Sequence, residues 1–293
     1  MHMDSPASLI VATGADGRVG RLLSQELAQR TSPANVRLCT PRDPATLANE
    51  RARGFQIARA DYNESASLDA AFAGAGTVLI TSSDGTNDVR IHQHRNAIDA
   101  AKRAGVERVV YMSFTNPSAN SLCNLNHVHA DSETYLLASG LTTTILRDNQ
   151  FVENLELMLE RSRGSNQLVL PGAHGKVAYI TRDDAAAAIA GALTQSGHDN
   201  KTYELTGPEA VDLFDIAAAL SIARGAMVTA SDATAEEFGP VLAGFGLPPY
   251  IVEAMLSMYM AAAAGEYTLV SQDAAKLAGR PIESMRAYAA QFA

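Results

Sequence analysis

Leu9-Ile10-Val11-Ala12-Thr13-Gly14-Ala15-Asp16-Gly17-Arg18-Val19-Gly20 is the stretch on which the fold of this chain turns. Leu9 to Thr13 is a short apolar, partly β-branched run, which predicts a buried strand. The three glycines that follow predict a tight turn, and Val19 to Arg30 predicts a helix. Strand, glycine turn and helix in this order form the setting in which a dinucleotide is bound. Gly14 permits the sharp turn, Gly17 lets the backbone approach a pyrophosphate, and Gly20 lets the helix pack on the strand. The helix N-terminus then offers free N–H groups and partial positive charge to the phosphates. Gly14, Asp16, Gly17, Arg18 and Val19 are therefore expected against the cofactor. The alternative is a glycine-rich turn that holds no ligand.

Outward from this turn, short β-branched runs alternate with longer helical stretches. Strands are expected at Val36 to Thr40, Phe55 to Ala58, Thr77 to Thr81, Arg108 to Met112 and Thr142 to Leu146. Helices are expected near Ala45 to Arg53, Ser65 to Phe72, Asn87 to Ala104 and Asn124 to Ser139. Such alternation implies parallel strands joined by right-handed crossovers. After Phe151 the chain becomes alanine-rich, with helices at Asp183 to Leu193, Leu213 to Ile222 and Pro249 to Ala264. Short strands are expected at Val177 to Ile180 and Thr202 to Leu205. The predicted class is α/β: a Rossmann-type doubly wound parallel sheet over 1–150, with a smaller α+β cap over 151–293, some of whose strands return to the sheet.

Ligands of doubly wound sheets sit beyond the carboxyl ends of the strands. That rule marks Thr13, Thr40, Thr81-Ser82-Ser83, Ser113-Phe114 and Asp148-Asn149-Gln150. The second strand ends Thr40-Pro41-Arg42-Asp43. An arginine there suits a ribose 2′-phosphate, a carboxylate suits a free 2′-hydroxyl, and Arg42 favours NADP(H) over NAD(H). Arg42 as a solvated loop residue is the alternative. Asp61-Tyr62 lies where an adenine edge is expected, with Asp61 either accepting from the exocyclic amine or capping the next helix. Ser82 and Ser83 complete the expected cofactor wall. Ser113, Phe114, Asn116, Gln150 and Phe151 are expected around the substrate.

Alcohol-oxidising short-chain dehydrogenases use Tyr and Lys four residues apart. None of the nine tyrosines has Lys at that spacing, and Lys102, Lys176, Lys201 and Lys276 lie outside the relevant helix. That helix carries His127-Val128-His129-Ala130-Asp131-Ser132-Glu133 instead. His127 and Asp131 are one turn apart, which makes His127 the candidate proton donor, or else a residue that orders the cofactor. His92/His94 and His127/His129 imitate metal spacing. Residues two apart on a helix diverge, so no metal site is expected, and His94 is expected to pack between helix and sheet.

The 293 residues are 47% hydrophobic and 19% charged, with a formal net charge of −9. Acidity without a basic face argues against nucleic acid as a partner. No apolar run is long enough for a bilayer, and Cys39 and Cys123 suggest no disulfide framework. The polar opening, Met1 to Ser8, is expected to be disordered, with Met1-His2-Met3 resembling an expression remnant. The expectation is a reduced, cytoplasmic protein without membrane contact, monomeric or homodimeric.

Together these residues resemble the NmrA-like family of atypical short-chain dehydrogenases. The resemblance spans nearly the whole chain. It rests on the glycine turn, Ala60-Asp61-Tyr62-Asn63, Ala101 to Val106, Tyr111-Met112-Ser113, and His127-Val128-His129 with Glu133. Leu146-Arg147, Glu153-Asn154, Thr181 to Asp184 and Gly197 to Tyr203 extend it. It implies NADPH along the N-terminal sheet and a substrate cleft under the cap. It implies direct hydride transfer to a quinone or other conjugated aromatic acceptor, for which a Tyr-Lys acid pair is dispensable. Departures are Asp131, where other branches carry Lys, and a crossover, Asp148 to Phe151, that is less aromatic than in relatives. The family also leaves two rival readings: a non-catalytic NADP(H)-sensing regulator, and a specialised catabolic reductase of an aromatic compound.

Overall fold

The protein was analysed as a computed structural model, which describes residues 8–293. The expected disorder before Ser8, with Met1-His2-Met3, lies outside the described residues. The first half runs β1 (Leu9–Ala12), α1 (Arg18–Arg30), β2 (Val36–Thr40), α2 (Ala48–Ala52), β3 (Gln56–Arg59) and α3 (Ser65–Phe72). It continues through β4 (Ala75–Ile80), α4 (Asn87–Arg103), β5 (Arg108–Phe114), α5 (Asn124–Ala138) and β6 (Thr142–Asp148). The expected helix over 45–53 is a 3-10 turn, Pro44–Leu47, followed by the five-residue α2; Pro44 starts the turn and Asp43 caps it.

Beyond β6 lie α6 (Glu156–Ser165), β7 (Gln167–Pro171), α7 (Arg182–Thr194), β8 (Lys201–Leu205) and α8 (Leu213–Arg224). The chain ends with β9 (Thr229–Ala233), α9 (Ala235–Ala243), α10 (Pro249–Ala263), α11 (Asp273–Ala278) and α12 (Met285–Ala290). Seven parallel strands form one sheet in the order β3-β2-β1-β4-β5-β6-β8. β7 and β9 pair in parallel as a separate two-stranded sheet.

Alternate residues of each central strand face opposite layers, as the pleat requires. Val11, Val78, Ile80, Val109 and Tyr111 pack with α3, α4 and α5. Ala12, Leu79, Val110 and Leu146 pack with α1, α7 and α11. α7 is buried on every side, which explains its alanines. A Cβ on Gly191 would lie 1.9 Å from the Leu277 carbonyl oxygen, so α11 can approach only this closely.

The boundary was expected at 150/151, with some later strands returning to the sheet. The chain leaves the sheet there, then returns through α7, β8 and α11 to complete it. The remaining C-terminal elements build the cap around a third core of Leu155, Leu168, Phe238, Met258 and Tyr259. Val177 to Ile180, expected as a strand, makes only two isolated bridges. Its N–H groups go to Val211, Tyr267 and Gln150, three different segments, so no ladder can form.

Candidate functional site

The chain runs outward from β1 to β3, then crosses back to β4 on β1's other side. The strand order therefore reverses between β1 and β4, and a crevice opens at their carboxyl ends. A hydrogen-bonded girder holds this point. Thr13 Oγ1 donates to the Leu79 carbonyl (3.0 Å), accepts from the Thr81 N–H (3.0 Å) and touches the Tyr62 hydroxyl (2.6 Å). With the Thr13 proton on the Leu79 carbonyl, the Tyr62 hydroxyl donates to Thr13 Oγ1, and it also lies 3.0 Å from the Thr81 carbonyl oxygen. Burial pushes the Tyr62 phenol up to about 12, so it serves here as a neutral brace.

A groove of about 550 Å³ lies over this girder. Gly14, Asp16, Gly17, Arg18 and Val19 line it, as do Arg42, Asp61 and Tyr62 on its far wall and Ser82 and Ser83 at its inner end. The turn tolerates little else. Gly14 has φ +65°, and a Cβ there would sit 2.4 Å from Thr81 Oγ1; one on Gly20 would sit 2.2 Å from the Gly14 carbonyl oxygen. Gly20 thus packs the helix against the turn itself rather than against the strand. α1 begins with no side-chain cap and no acidic residue in its first turn, whereas α7, α8, α9 and α12 all carry side-chain caps. Its first N–H groups are left free toward the groove, the electrostatic shape a pyrophosphate requires.

Arg42 leaves β2 with its side chain 73% exposed and Nη1 3.3 Å from Asp16 Oδ2. Asp43 turns away, accepting from the Ala45 N–H. Asp61 is already engaged, with Oδ1 accepting from the Asn63 N–H (2.9 Å) and Oδ2 from Arg59 (3.1 Å). Gln93 was not anticipated. It lines the same groove, its Nε2 donates to Asn63, and its buried Oε1 has no partner.

Under the cap lies a cavity of about 920 Å³ whose wall is mainly apolar, including Met158, Phe238, Phe245, Met255 and Met258. Arg18 lines both this cavity and the groove, so the two adjoin at that residue. Gln150 forms part of its floor; the residue is 2% exposed and its Nε2 has no partner. Beside it, Asp148 ends β6 with neither carboxyl oxygen hydrogen-bonded, and burial raises its pKa well above the carboxylate range.

The remaining expected substrate residues are occupied elsewhere. The Ser113 hydroxyl donates to Glu133 Oε1 (2.6 Å) on the α5 side, where Arg147 clamps Glu133 and Glu204 together. Phe114 packs edge-on to Tyr267, with ring centroids 5.6 Å apart, and is absorbed into the cap core. Asn116 sits at φ +51° and donates to Glu266 Oε2 (2.9 Å), fastening the loop after β5 to the cap. The Phe151 ring lies under the Arg182 guanidinium at 5.3 Å and packs into the sheet core.

His127 is likewise displaced. α5 buries Asn126, Val128, His129, Ser132, Glu133 and Leu136, so positions 127 and 131 fall on the opposite face. His127 Nε2 meets the Ser121 carbonyl (3.0 Å), and Asp131 pairs with Arg95 (2.6 Å), not with His127. The buried histidines are His94 and His129. His94 Nε2 accepts from the Ser83 N–H (3.1 Å), and its Nδ1 donates to Ser132 Oγ (2.8 Å). Burial holds His94 down to about 3 and His129 well below its ordinary range, with Arg90 adding to both shifts. They are neutral supports behind the cleft rim. Cys39 and Cys123 are free and buried, and no three metal-ligating side chains converge among the described residues. No helix among them is long and apolar enough to cross a membrane.

A family model described as NAD(P)H-binding matches residues 14–196. Quinone oxidoreductase 2 of Escherichia coli (strain K12) is 32% identical over 94% of this chain and 96% of its own length. The structure of an Escherichia coli NADPH-dependent quinone oxidoreductase complexed with NADPH superposes with a TM-score of 0.90, at 30% identity over 97% of this chain and 99% of that one. NAD(P)H azoreductase of Xenophilus azovorans is 29% identical over 97% of this chain and 99% of its own length. The Citrobacter sp. triphenylmethane reductase, complexed with NADP(H), superposes with a TM-score of 0.89, at 28% identity over 97% and 100% of the two chains.

Proposed function

The chain belongs to the NAD(P)H-binding family, and on that premise we propose that it is an NADPH-dependent reductase passing hydride to quinones and other conjugated aromatic acceptors. The observation that carries this reading is the adjacency at Arg18 of a phosphate-shaped groove and a large apolar cavity. A cavity of about 920 Å³ suits a drug-sized aromatic molecule. The quinone, azo and triphenylmethane acceptors named for its relatives are all electron-poor, conjugated molecules of that kind.

In this reading the free N–H groups of α1 and the turn from Gly14 to Val19 hold the pyrophosphate, while Arg42 holds the ribose 2′-phosphate. Gln93 Oε1, rather than the already engaged Asp61 carboxylate, is the free acceptor for the adenine amine. Ser82 and Ser83 flank the nicotinamide end, with Ser83 fixed by its bond to His94. Bound there, the reduced nicotinamide supplies a hydride. The apolar cap excludes water and stacks the acceptor, and Gln150 Nε2 offers a hydrogen bond to an acceptor carbonyl. A conjugated acceptor delocalises the charge it receives, so the reaction needs no Tyr-Lys pair.

NADPH mixed with the protein and a panel of quinones, azo dyes and triphenylmethane dyes should be oxidised, read as loss of nicotinamide absorbance. Tight NADPH binding with no oxidation across the panel would overturn the assignment.

A further inference from the structure

A third chamber, of about 470 Å³, adjoins both spaces described above. It meets the groove at Ser83 and Asp84, the end assigned to the nicotinamide, whereas the apolar cavity meets the groove at Arg18. Chamber and cavity adjoin each other along Ile251, Met255 and Met258 of α10. That spacing sets the three side chains in one stripe on one face of the helix. The stripe runs for about 10 Å along the helix axis, the length of two linked aromatic rings.

The polar groups of the chamber wall already have partners within it. Asp84 Oδ1 accepts from the Gly85 N–H (2.8 Å) and from the Tyr250 hydroxyl (3.2 Å). Asn87 Nδ2 donates to the Asn124 carbonyl (2.8 Å), and the Asn124 N–H donates to Ser257 Oγ (3.2 Å). Arg90 is held on Ser82 Oγ (2.6 Å), and Glu253 is exposed to water. The apolar part of the wall is Leu125, Ala254 and the α10 stripe. A charged or strongly polar guest would give up its hydration without finding a free partner, whereas a neutral ring gives up nothing.

The partition itself can yield. Met258 is 8% exposed and Met255 half-buried, and both are unbranched thioethers whose rotatable side chains fill irregular gaps. We propose that the chamber seats a second, neutral aromatic ring of the acceptor, with Met255 and Met258 as the residues that determine how far the acceptor extends into it. The proposal rests on the reductase reading and adds the size class of acceptor: two linked rings in preference to one. The acceptor then lies across the methionine stripe, one ring toward the cavity and one toward Ser83.

Ala254 and Leu125 line the chamber and neither the cavity nor the groove, so enlarging either fills the chamber alone. The first measurement compares kcat/KM for trimethyl-1,4-benzoquinone with that for its phenyl derivative, which adds one ring to the same reducible core. The two-ring quinone should be favoured by about 10-fold or more, chiefly through KM. Ala254→Leu and Leu125→Phe, on separate helices, should each lower that ratio by about 5- to 10-fold, so either suffices if the other fails to fold. Met255→Ile, which stiffens the partition at similar volume, should lower the ratio, and Met255→Leu should retain most of it. The second measurement reads binding without turnover, by calorimetry of phenol and 4-phenylphenol on the protein–NADP⁺ complex. The second ring should tighten binding by about 10-fold, and both chamber variants should remove most of that gain. No gain from the second ring, or a gain that survives both Ala254→Leu and Leu125→Phe, overturns the proposal. A binding gain that the chamber variants remove, with no turnover of either quinone, would support the chamber and fault the reductase reading instead.

Discussion

Arg42→Ala tests how the groove chooses its cofactor. The Arg42 guanidinium is 73% exposed, and its visible partner is Asp16 at 3.3 Å. Charged hydrogen bonds contribute about 1.5–3 kcal/mol, and solvent screening places this one at the lower end, near 1.5 kcal/mol. Removing the arginine also uncovers Asp16, whose side chain is 8% exposed, on the side from which a 2′-phosphate would approach. Two like charges about 6 Å apart in a partly hydrated groove repel by about 1 kcal/mol. The sum, about 2.5 kcal/mol, corresponds to a loss of about 50- to 100-fold in NADPH affinity. NADH carries no 2′-phosphate, and the uncovered carboxylate can accept from its ribose hydroxyl, so its affinity should hold or rise. Fluorescence titration of both cofactors reads the two effects separately. Repeating it at higher salt should narrow the NADPH difference between wild type and variant, because part of that difference is screened charge. Asp16→Asn should move NADPH affinity the other way. Equal weakening of NADPH and NADH by Arg42→Ala would show that the arginine holds the turn rather than the phosphate, and the reasoning would fail.

Two further outcomes follow from buried polar groups. His94 is held down to about 3 against about 6.5 in an unfolded chain, so below pH 6.5 the unfolded state takes up a proton that the folded state refuses. Stability from this group is therefore lost as pH falls, at about 1.4 kcal/mol per pH unit, down to about pH 3. Asp148, raised by burial, has the opposite sign, so the difference between variant and wild type is the clean measure. His94→Gln should flatten the urea-unfolding stability profile between pH 6 and pH 4 by about that slope, and an unchanged slope would exclude a neutral buried His94. Arg147→Met strips Glu133, whose side chain is 8% exposed, of two charged hydrogen bonds and should cost about 2–3 kcal/mol in urea unfolding. Adding Glu133→Gln should recover part of the loss; a larger loss in the double variant would contradict the pairing.

The sheet and the groove were legible because their determinants are local. Strand, glycine turn and uncapped helix lie within some twenty residues, and each glycine meets its obstacle nearby in space as well as in sequence. Four of the five expected substrate residues, all but Gln150, were not legible, because what occupies them is remote. Ser113 is claimed by Glu133, Asn116 by Glu266 and Phe114 by Tyr267. Nothing near these positions announces such partners. The β7–β9 pairing joins Gln167 to Thr229 across the cap, and Thr-Ala-Ser-Asp-Ala has no apolar alternation to betray a strand. His127 was a different kind of miss. Val128, Ser132 and Leu136 mark the buried face of α5 at four-residue spacing, which already assigns 127 and 131 to the other side. Charge complementarity within one helix suggested a pair; periodicity, the stronger constraint, denied it.

The cleft divides its work between two kinds of surface. The groove is defined by backbone and by fixed polar contacts: a glycine turn without room for a Cβ, a Thr13–Tyr62–Thr81 girder, and Ser83 held by a neutral histidine. Such a surface discriminates finely, because a wrong ligand leaves polar groups unpaired. The cap cavity is walled by methionine and phenylalanine on helices packed around their own core. Met side chains adapt to irregular shapes and impose little directional demand. Recognition of the acceptor must therefore come from size, aromatic stacking and the few polar groups at the edge, chiefly Gln150. A reductase built this way would bind one cofactor strictly and accept a range of conjugated molecules. Changing Gln150 should alter which acceptors are used without altering how the cofactor is held, because its side chain does not belong to the groove that meets the phosphates.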